Sequence, residues 1–212
     1  MNQENKILLP GGRKQLAFLH ELLPLEGKSI LVIGAGCEII SQRLYKFSNV
    51  TVEMIVDDYE SLLSAKLLLK NIPGVNLRLM EFDRTDFDEQ SFDIVYVQGS
   101  ISNENRNKIV KEIKRILKPG GYFCIGEIVS LTKNPPVFMT NIWESAGLNP
   151  MHNDSVEKYY SERKFEVINK KDLTATLKHL YTESINELQK LDLPDNEKSY
   201  FKKLIARIKH ES

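Results

Sequence analysis

The chain is poor in the residues that build metal and redox centres. It has 2 cysteines, Cys37 and Cys124, among 212 residues. They stand far apart, so they form neither a zinc pattern nor a disulfide framework, and a reducing, cytoplasmic setting is expected. The 4 histidines, His20, His152, His179 and His210, are scattered. None stands at i, i+4 from a second ligand type, so no metal site is expected. Neither sign of charge is in excess: 29 Lys and Arg balance 29 Asp and Glu. Nucleic-acid binders usually carry a basic excess or a basic face. The one basic concentration, Lys202, Lys203, Arg207 and Lys209, falls on a helical pattern and reads as a solvated face. No nucleic-acid partner is expected. A run of about 18 apolar residues is also missing, so no membrane partner is expected. The opening MNQENKILLPGG lacks the design of a signal peptide. Internal repeats and low-complexity tracts are absent.

What remains is an ordinary globular composition, 42% hydrophobic and 27% charged. Length and composition suit one domain over residues 1–212, with a core at 10–130 and a cap with C-terminal helices at 131–212. Short apolar runs predict strands at Ser29–Ile33, Val52–Val56, Asn76–Met80, Phe92–Val97 and Tyr122–Ile128. Helical spacing predicts helices at 13–23, Glu38–Phe47, Tyr59–Leu69, Arg106–Leu117 and Val137–Ala146. Ile40, Leu44 and Phe47 are expected to face inward. Pro73-Gly74 reads as a turn, Pro119-Gly120-Gly121 as a helix stop, and Gly147 as a C-terminal cap. A further strand is expected at Phe165–Ile168. Two helix patterns follow, one on Leu173, Leu177, Leu180, Tyr181 and Leu188, the other on Phe201, Leu204, Ile205 and Ile208.

Strands that alternate with helices make parallel βαβ units. The expected fold class is therefore α/β: a Rossmann-like, doubly wound, mostly parallel sheet with helices on both faces and a helical C-terminal cap. Such sheets bind ligands at the carboxyl ends of their strands. The first exit carries GAGCE, residues 34–38. Gly34 and Gly36 permit positive φ and a close backbone approach. A dinucleotide fingerprint needs a third small residue, and Ile39 stands in that place. Glu38 would also repel a pyrophosphate at the helix start. At the second exit, Asp57 can accept both hydroxyl protons of a ribose, and Asp58 is the better candidate for a helix N-cap. At the third, Asp83 in EFDRTDF can hydrogen-bond an adenine amino group. Together these groups would hold an adenosine without phosphates.

The ordered set GAGCE (34–38), VDD (56–58), EFD (81–83), SFDIVYVQGS (91–100) and RILKPGGYFCIGE (115–127) resembles a class I S-adenosylmethionine-dependent methyltransferase of the broad group that acts on small molecules. SFD and RILKPGG carry the most specific part of this likeness, which covers roughly residues 10–170. The resemblance implies S-adenosylmethionine as cofactor, S-adenosylhomocysteine as product, a small-molecule acceptor, and a monomer or homodimer. Gly34, Ala35, Gly36 and Cys37 would line the methionine part. Asp57, with Asp58 beside it, would bind the ribose, and Asp83 with the Arg84 amide would hold the adenine. Val97, Gln98 and Gly99 would close over the sulfonium region. Gly11, Gly12 and Arg13 match a stretch found near the cofactor mouth.

The chain departs from the family pattern twice. Val32 stands where the family often has an acidic residue, and Glu38 where it has a third glycine. Glu38 either replaces the lost carboxylate toward the cofactor's ammonium group or is an ordinary first-turn residue, favourable with the helix dipole. For acceptor chemistry the catalytic candidates are Glu127 and Asn103, with Ser102 beside the latter. Each has a plainer reading in local capping. Tyr159, Tyr160 and Trp143 are candidates for the acceptor pocket or for packing. Cys37 stands at a helix start, which can lower a thiol pKa, although loop packing accounts for it as well. The family's sheet usually closes with an antiparallel strand, whereas this sequence ends at His210-Glu211-Ser212 in a helical pattern. The first functional reading is methyl transfer to an O, N or S nucleophile. The second is an inactive or weak adenosyl-binding module that works through protein contacts. The third is a nucleotide-dependent oxidoreductase.

Overall fold

The computed structural model describes residues 7–70 and 74–190. Pro73 and the Phe201–Ile208 helix pattern, with its basic residues, lie outside the described residues. From the amino end the elements are α1 (Gly12–Leu22), β1 (Ile30–Ile33), α2 (Glu38–Ser48), β2 (Val52–Val56), α3 (Tyr59–Leu69), β3 (Val75–Leu79) and β4 (Phe92–Gln98). Then come α4 (Arg106–Ile116), β5 (Leu117–Gly126), β6 (Val129–Ser130), α5 (Val137–Ser145), β7 (Met151–His152), α6 (Val156–Glu162) and α7 (Ala175–Lys190). Five strands form one parallel sheet in the order β3-β2-β1-β4-β5. The doubly wound expectation holds, with the order reversing beside β1.

Why these runs become parallel strands is visible in their burial. All four β1 residues are fully buried, as befits a strand covered on both faces. Alternation then sorts them. Ile30 and Val32 join Val52, Met54, Val56 and Tyr96 under α1, α2 and α3. Leu31 and Ile33 join Ile55, Val95 and Val97 under α4, with Ile109, Ile113 and Ile116 inward. Phe47 departs from expectation. It is exposed and stacks on His20 at 4.5 Å, because it lies off the Ile40–Leu44 stripe.

One carboxylate gathers the amino ends of the central strands. Asp93 Oδ2 accepts from the Ser29 amide (2.9 Å), the Ser29 hydroxyl (2.6 Å) and Lys118 Nζ (2.8 Å). The Ser29 hydroxyl lies within reach of the Ser91 carbonyl at 3.1 Å. These contacts join the start of β1, the start of β4 and the turn inside β5. The Lys118-Pro119-Gly120-Gly121 stretch bulges out of β5, so that Leu117 pairs with Phe92 and Tyr122 with Ile94. The expected strand at Phe165–Ile168 does not form. The segment has no regular structure: the Phe165 amide donates to the Tyr160 carbonyl at 3.1 Å and its ring packs on Phe123 and Tyr160. Gly147 sits at φ 64°, in the left-handed turn foreseen for it just past α5.

Burial alone would raise the Asp93 carboxyl, but the bonds from Lys118 and Ser29 outweigh it and hold it well below the usual carboxylate range. A carboxyl lower in the folded than in the unfolded chain contributes stability above its unfolded value, about 3.9. That contribution is lost as pH falls through the folded value. Asp93→Asn is therefore expected to lose about 1–2 kcal/mol at neutral pH. The gap to the parent should close on acidification below about pH 4. Urea unfolding at a series of pH values measures both, and a gap that persists unchanged in acid would refute the assignment.

Candidate functional site

The exits of β1, β2 and β4 and the loop after β3 meet on one side of the sheet. Gly34 follows β1 at φ 117°, and its amide donates to the Ile55 carbonyl at 3.0 Å. A Cβ there would lie 2.5 Å from the Ser100 Cβ, while the Ser100 hydroxyl donates to the Ile33 carbonyl at 2.9 Å. Gly36, at φ 77°, faces Leu9. Cys37 is fully buried. Desolvation first, and then the Glu38 charge, push its thiol well up, so burial overrides the helix start and the thiol stays protonated.

Of the paired aspartates, Asp58 caps α3. It accepts from the Ser61 amide at 2.7 Å and the Ser61 hydroxyl at 2.5 Å. Both oxygens serve the cap, as expected of Asp58 as the helix N-cap, and Asp57 stands next to it. Asp57 is left over at the surface and accepts no hydrogen bond from another described residue. Desolvation raises its carboxyl, a hydrogen bond from its own amide opposes this, and the Asp58 charge raises it again. Asp83 likewise keeps its carboxylate unengaged. The Arg84 amide, expected at the adenine, instead closes a turn onto the Glu81 carbonyl at 3.3 Å. Glu112 braces this loop by accepting from the Thr85 amide and from Arg115, which also donates to the Phe87 carbonyl at 2.8 Å.

Past β4, Gly99 keeps φ 80°, as a close approach requires. The Val97 and Gln98 side chains are engaged within the protein. Val97 is core, and its carbonyl accepts from Gln15 at 2.7 Å. Gln98 accepts from the Tyr96 hydroxyl and donates to the carbonyls of Pro10 (2.7 Å) and Gly12 (2.9 Å). It latches the amino-terminal arm, whose Gly11 amide donates in turn to Thr176.

The two residues expected to be catalytic are also engaged. Asn103 holds its own turn, accepting from the Asn105 amide at 2.9 Å. Glu127 is nearly buried. It accepts from Ser102 at 2.6 Å and from the Tyr160 hydroxyl, with Arg106 Nε 3.2 Å away. Burial first, and then the Glu127 charge, keep Tyr160 protonated as the donor. Arg106 also donates to the Asn149 carbonyl at 2.6 Å. Both carboxylate oxygens thus anchor α6 and the segment before it over the β4 and β5 exits. Each Glu127 oxygen already accepts from a protein hydroxyl, Oε2 from Ser102 and Oε1 from Tyr160. Arg106, Gln15 and Ser100 went unnoticed in the sequence because no local pattern marks a partner so distant along the chain.

A groove of about 1760 Å³ runs along β5, lined by Phe18, Tyr122, Trp143 and Ile168 among others. It lies away from Gly34, Asp57 and Asp83. Among the described residues no cluster of His, Cys, Asp or Glu could hold a metal, and no helix is long and apolar enough to cross a membrane.

The exits suit an adenosyl ligand on structural grounds: a glycine loop with positive φ at Gly34 and Gly36, beside two unengaged carboxylates. Comparison with known proteins agrees. Residues 31–125 match the family described as a methyltransferase domain. The sterol 24-C-methyltransferase erg6 of Aspergillus fumigatus is 27% identical over 114 residues, 51% of this chain and 30% of that protein. The phthiotriol/phenolphthiotriol dimycocerosates methyltransferase of Mycobacterium tuberculosis is 26% identical over 49% of this chain and 39% of its own length. The chain thus aligns with well under half the length of these relatives. The geranyl diphosphate C-methyltransferase of Streptomyces coelicolor, solved with S-adenosyl-L-homocysteine, superposes with a TM-score of 0.64 at 14% identity, over 76% of this chain and 62% of that one. Over residues 31–125 the chain is thus similar to a methyltransferase domain, on a fold it shares with solved methyltransferases.

Gly34→Ala is expected to destabilise the fold by about 1–3 kcal/mol through backbone strain, and further through the clash with Ser100. Gly27→Ala provides the comparison, since Gly27 has φ 71° but open space around its Cβ position. Equal losses in chemical denaturation of the two variants would show that the contact with Ser100 is not tight.

Proposed function

We propose that this chain transfers a methyl group from S-adenosylmethionine to a small-molecule acceptor, an O, N or S nucleophile, by in-line displacement, releasing S-adenosylhomocysteine. The observation that carries this reading is Asp57: a carboxylate at the β2 exit with no partner of its own, level with the Gly34 loop. A ribose offers two adjacent hydroxyl donors to such a group. Asp83 takes the base, on a loop braced by Glu112 and Arg115. The Gly34–Gly36 loop takes the methionine end, and Gly99 lets the backbone approach the sulfonium region.

When bound, the cofactor supplies a methyl group already activated on a sulfonium centre. The chain's own tasks are then alignment and exclusion of water. The arm at Pro10–Gly12, held by Gln98 and Thr176, covers the mouth. The cap, held by Glu127, walls the β4 and β5 exits. With Glu127 and Asn103 committed to structure, this reading favours acceptors that need no deprotonation by the protein. The names of the two curated relatives, one a sterol methyltransferase and one a phthiotriol/phenolphthiotriol dimycocerosates methyltransferase, support an acceptor of low molecular weight.

The second reading, an adenosyl-binding module with little or no turnover, has its own support in Val32 and Glu38. The two readings part on a single measurement, formation of the demethylated product with an added acceptor.

Asp57→Ala is expected to weaken S-adenosylmethionine binding at least about tenfold, since hydrogen bonds from two hydroxyls to a charged acceptor are lost. Isothermal calorimetry on the folded variant measures this, and unchanged affinity removes Asp57 from the site.

A further inference from the structure

Helix α3 is apolar on more than one side. Leu62, Ala65 and Leu69 are buried against the sheet. Tyr59, Leu63 and Leu67 recur at i, i+4 and i+8 and form a second stripe outside that buried face. They are 64%, 47% and 76% exposed, and Leu79 at the end of β3 is 45% exposed. A helix that is apolar all round belongs in an interior, yet α3 lies at the surface. In a right-handed crossover from β2 to β3, the turn of the helix puts the exposed Leu68 on the α2 side. Tyr59 and Leu63 then fall on the side of the sheet edge.

That edge is open. β3 is the outermost strand, and among the described residues it pairs with β2 alone. Its residues, Val75–Leu79, run in regular register, without the bulge, proline or lysine that usually blunts an edge. The opposite edge strand, β5, is interrupted by the bulge at 118–121. Val75 and Leu77 pack on the core under α3, so alternation brings Leu79 to the same face. Asn76 and Arg78 take the other face. There Asn76 donates to Glu53 at 2.9 Å, and Arg78 pairs with Asp86 and lies over the Phe87 ring.

Such a strand is complementary to itself. An antiparallel pair of copies centred on Leu77 sets Val75 against Leu79 and Asn76 against Arg78, so apolar meets apolar and no like charges face each other. The exposed side chains of Tyr59, Leu63, Leu67 and Leu79 leave on the order of 500 Å² of apolar surface in water. That is as much as the largest patch on an ordinary monomer and over half of what each partner of a standard interface buries. A formal net charge of zero leaves no overall repulsion between copies. We infer that a second copy of this chain docks here about a two-fold axis at β3. The two five-stranded sheets then join into one, and α3 packs against α3 of the partner. The inference goes beyond the methyl-transfer reading and does not rest on it.

Sedimentation velocity of the full chain over about 1–100 µM tests it. The parent is expected to form a dimer that dissociates on dilution. Leu63→Glu brings a charge into the joined apolar stripe and is expected to weaken dimerisation at least about tenfold. Leu131→Glu, at an exposed leucine far from α3 in the chain, is expected to leave the dimer intact. A parent that stays monomeric at about 100 µM overturns the inference, as does a dimer that Leu63→Glu leaves unchanged or that both variants weaken alike. Hydrogen exchange on the parent needs no substitution. Amides of β3 should be protected at high concentration and lose that protection on dilution, while those of β5 stay constant. Protection that appears at β5 instead assigns the contact to the other edge and overturns the proposal. Flotation with phosphatidylcholine vesicles covers a different occupant: binding by the parent that Leu63→Glu abolishes would give this face to a membrane and overturn it too.

Discussion

Three strands of the sheet start from one carboxylate. Asp93 accepts from the segment that opens β1, stands within β4 and receives Lys118 from the turn in β5. Parallel strands need long crossovers, so nothing local sets their relative height. A shared acceptor at the amino ends does set it. Ile33 stays level with Val97, and the groups that follow them emerge together at the opposite ends. The residues that make this chain most recognisable, SFD and KPGG, therefore lie away from the ligand. They are recognisable because Ser91, Asp93, Lys118 and the bulge at Gly120 must all be present for one knot to close.

Which features were legible in the sequence follows from the range of the interactions behind them. The five strands were legible because strands covered on both faces read as unbroken apolar runs, bounded by glycine or charge. The division of labour between Asp57 and Asp58 was half legible. A cap reaches three residues ahead, so Ser61 marks Asp58, and Asp57 is identified only by what it does not touch. Phe165–Ile168 has the composition of a strand. Its partner is not a matter of composition, and among the described residues no strand pairs with it. Gln98 and Glu127 stood at the right exits, yet their side chains answer to Pro10 and Tyr160, many residues away. Such long-range bonds leave no periodicity to read.

The same accounting separates two kinds of exit. At β2 and the loop past β3, carboxylates stand unengaged: Asp57 and Asp83. At β4 and β5, polar side chains are consumed by the protein itself. Gln98 holds the arm, Ser102 and Glu127 hold the cap, and Asn103 holds a turn. On the proposed reading, recognition of the donor rests on charged hydrogen bonds. Recognition of the acceptor is left to the shape of a wall whose polar groups face inward. Charged bonds demand particular residue types at particular exits, and so a donor site is written in the sequence. A wall demands only that its anchors hold, and many sequences would satisfy it. For this reason the acceptor side must be read from Arg106, Glu127 and Tyr160 as the frame of a pocket: loosening that frame would change which molecules fit before it changed how the donor binds.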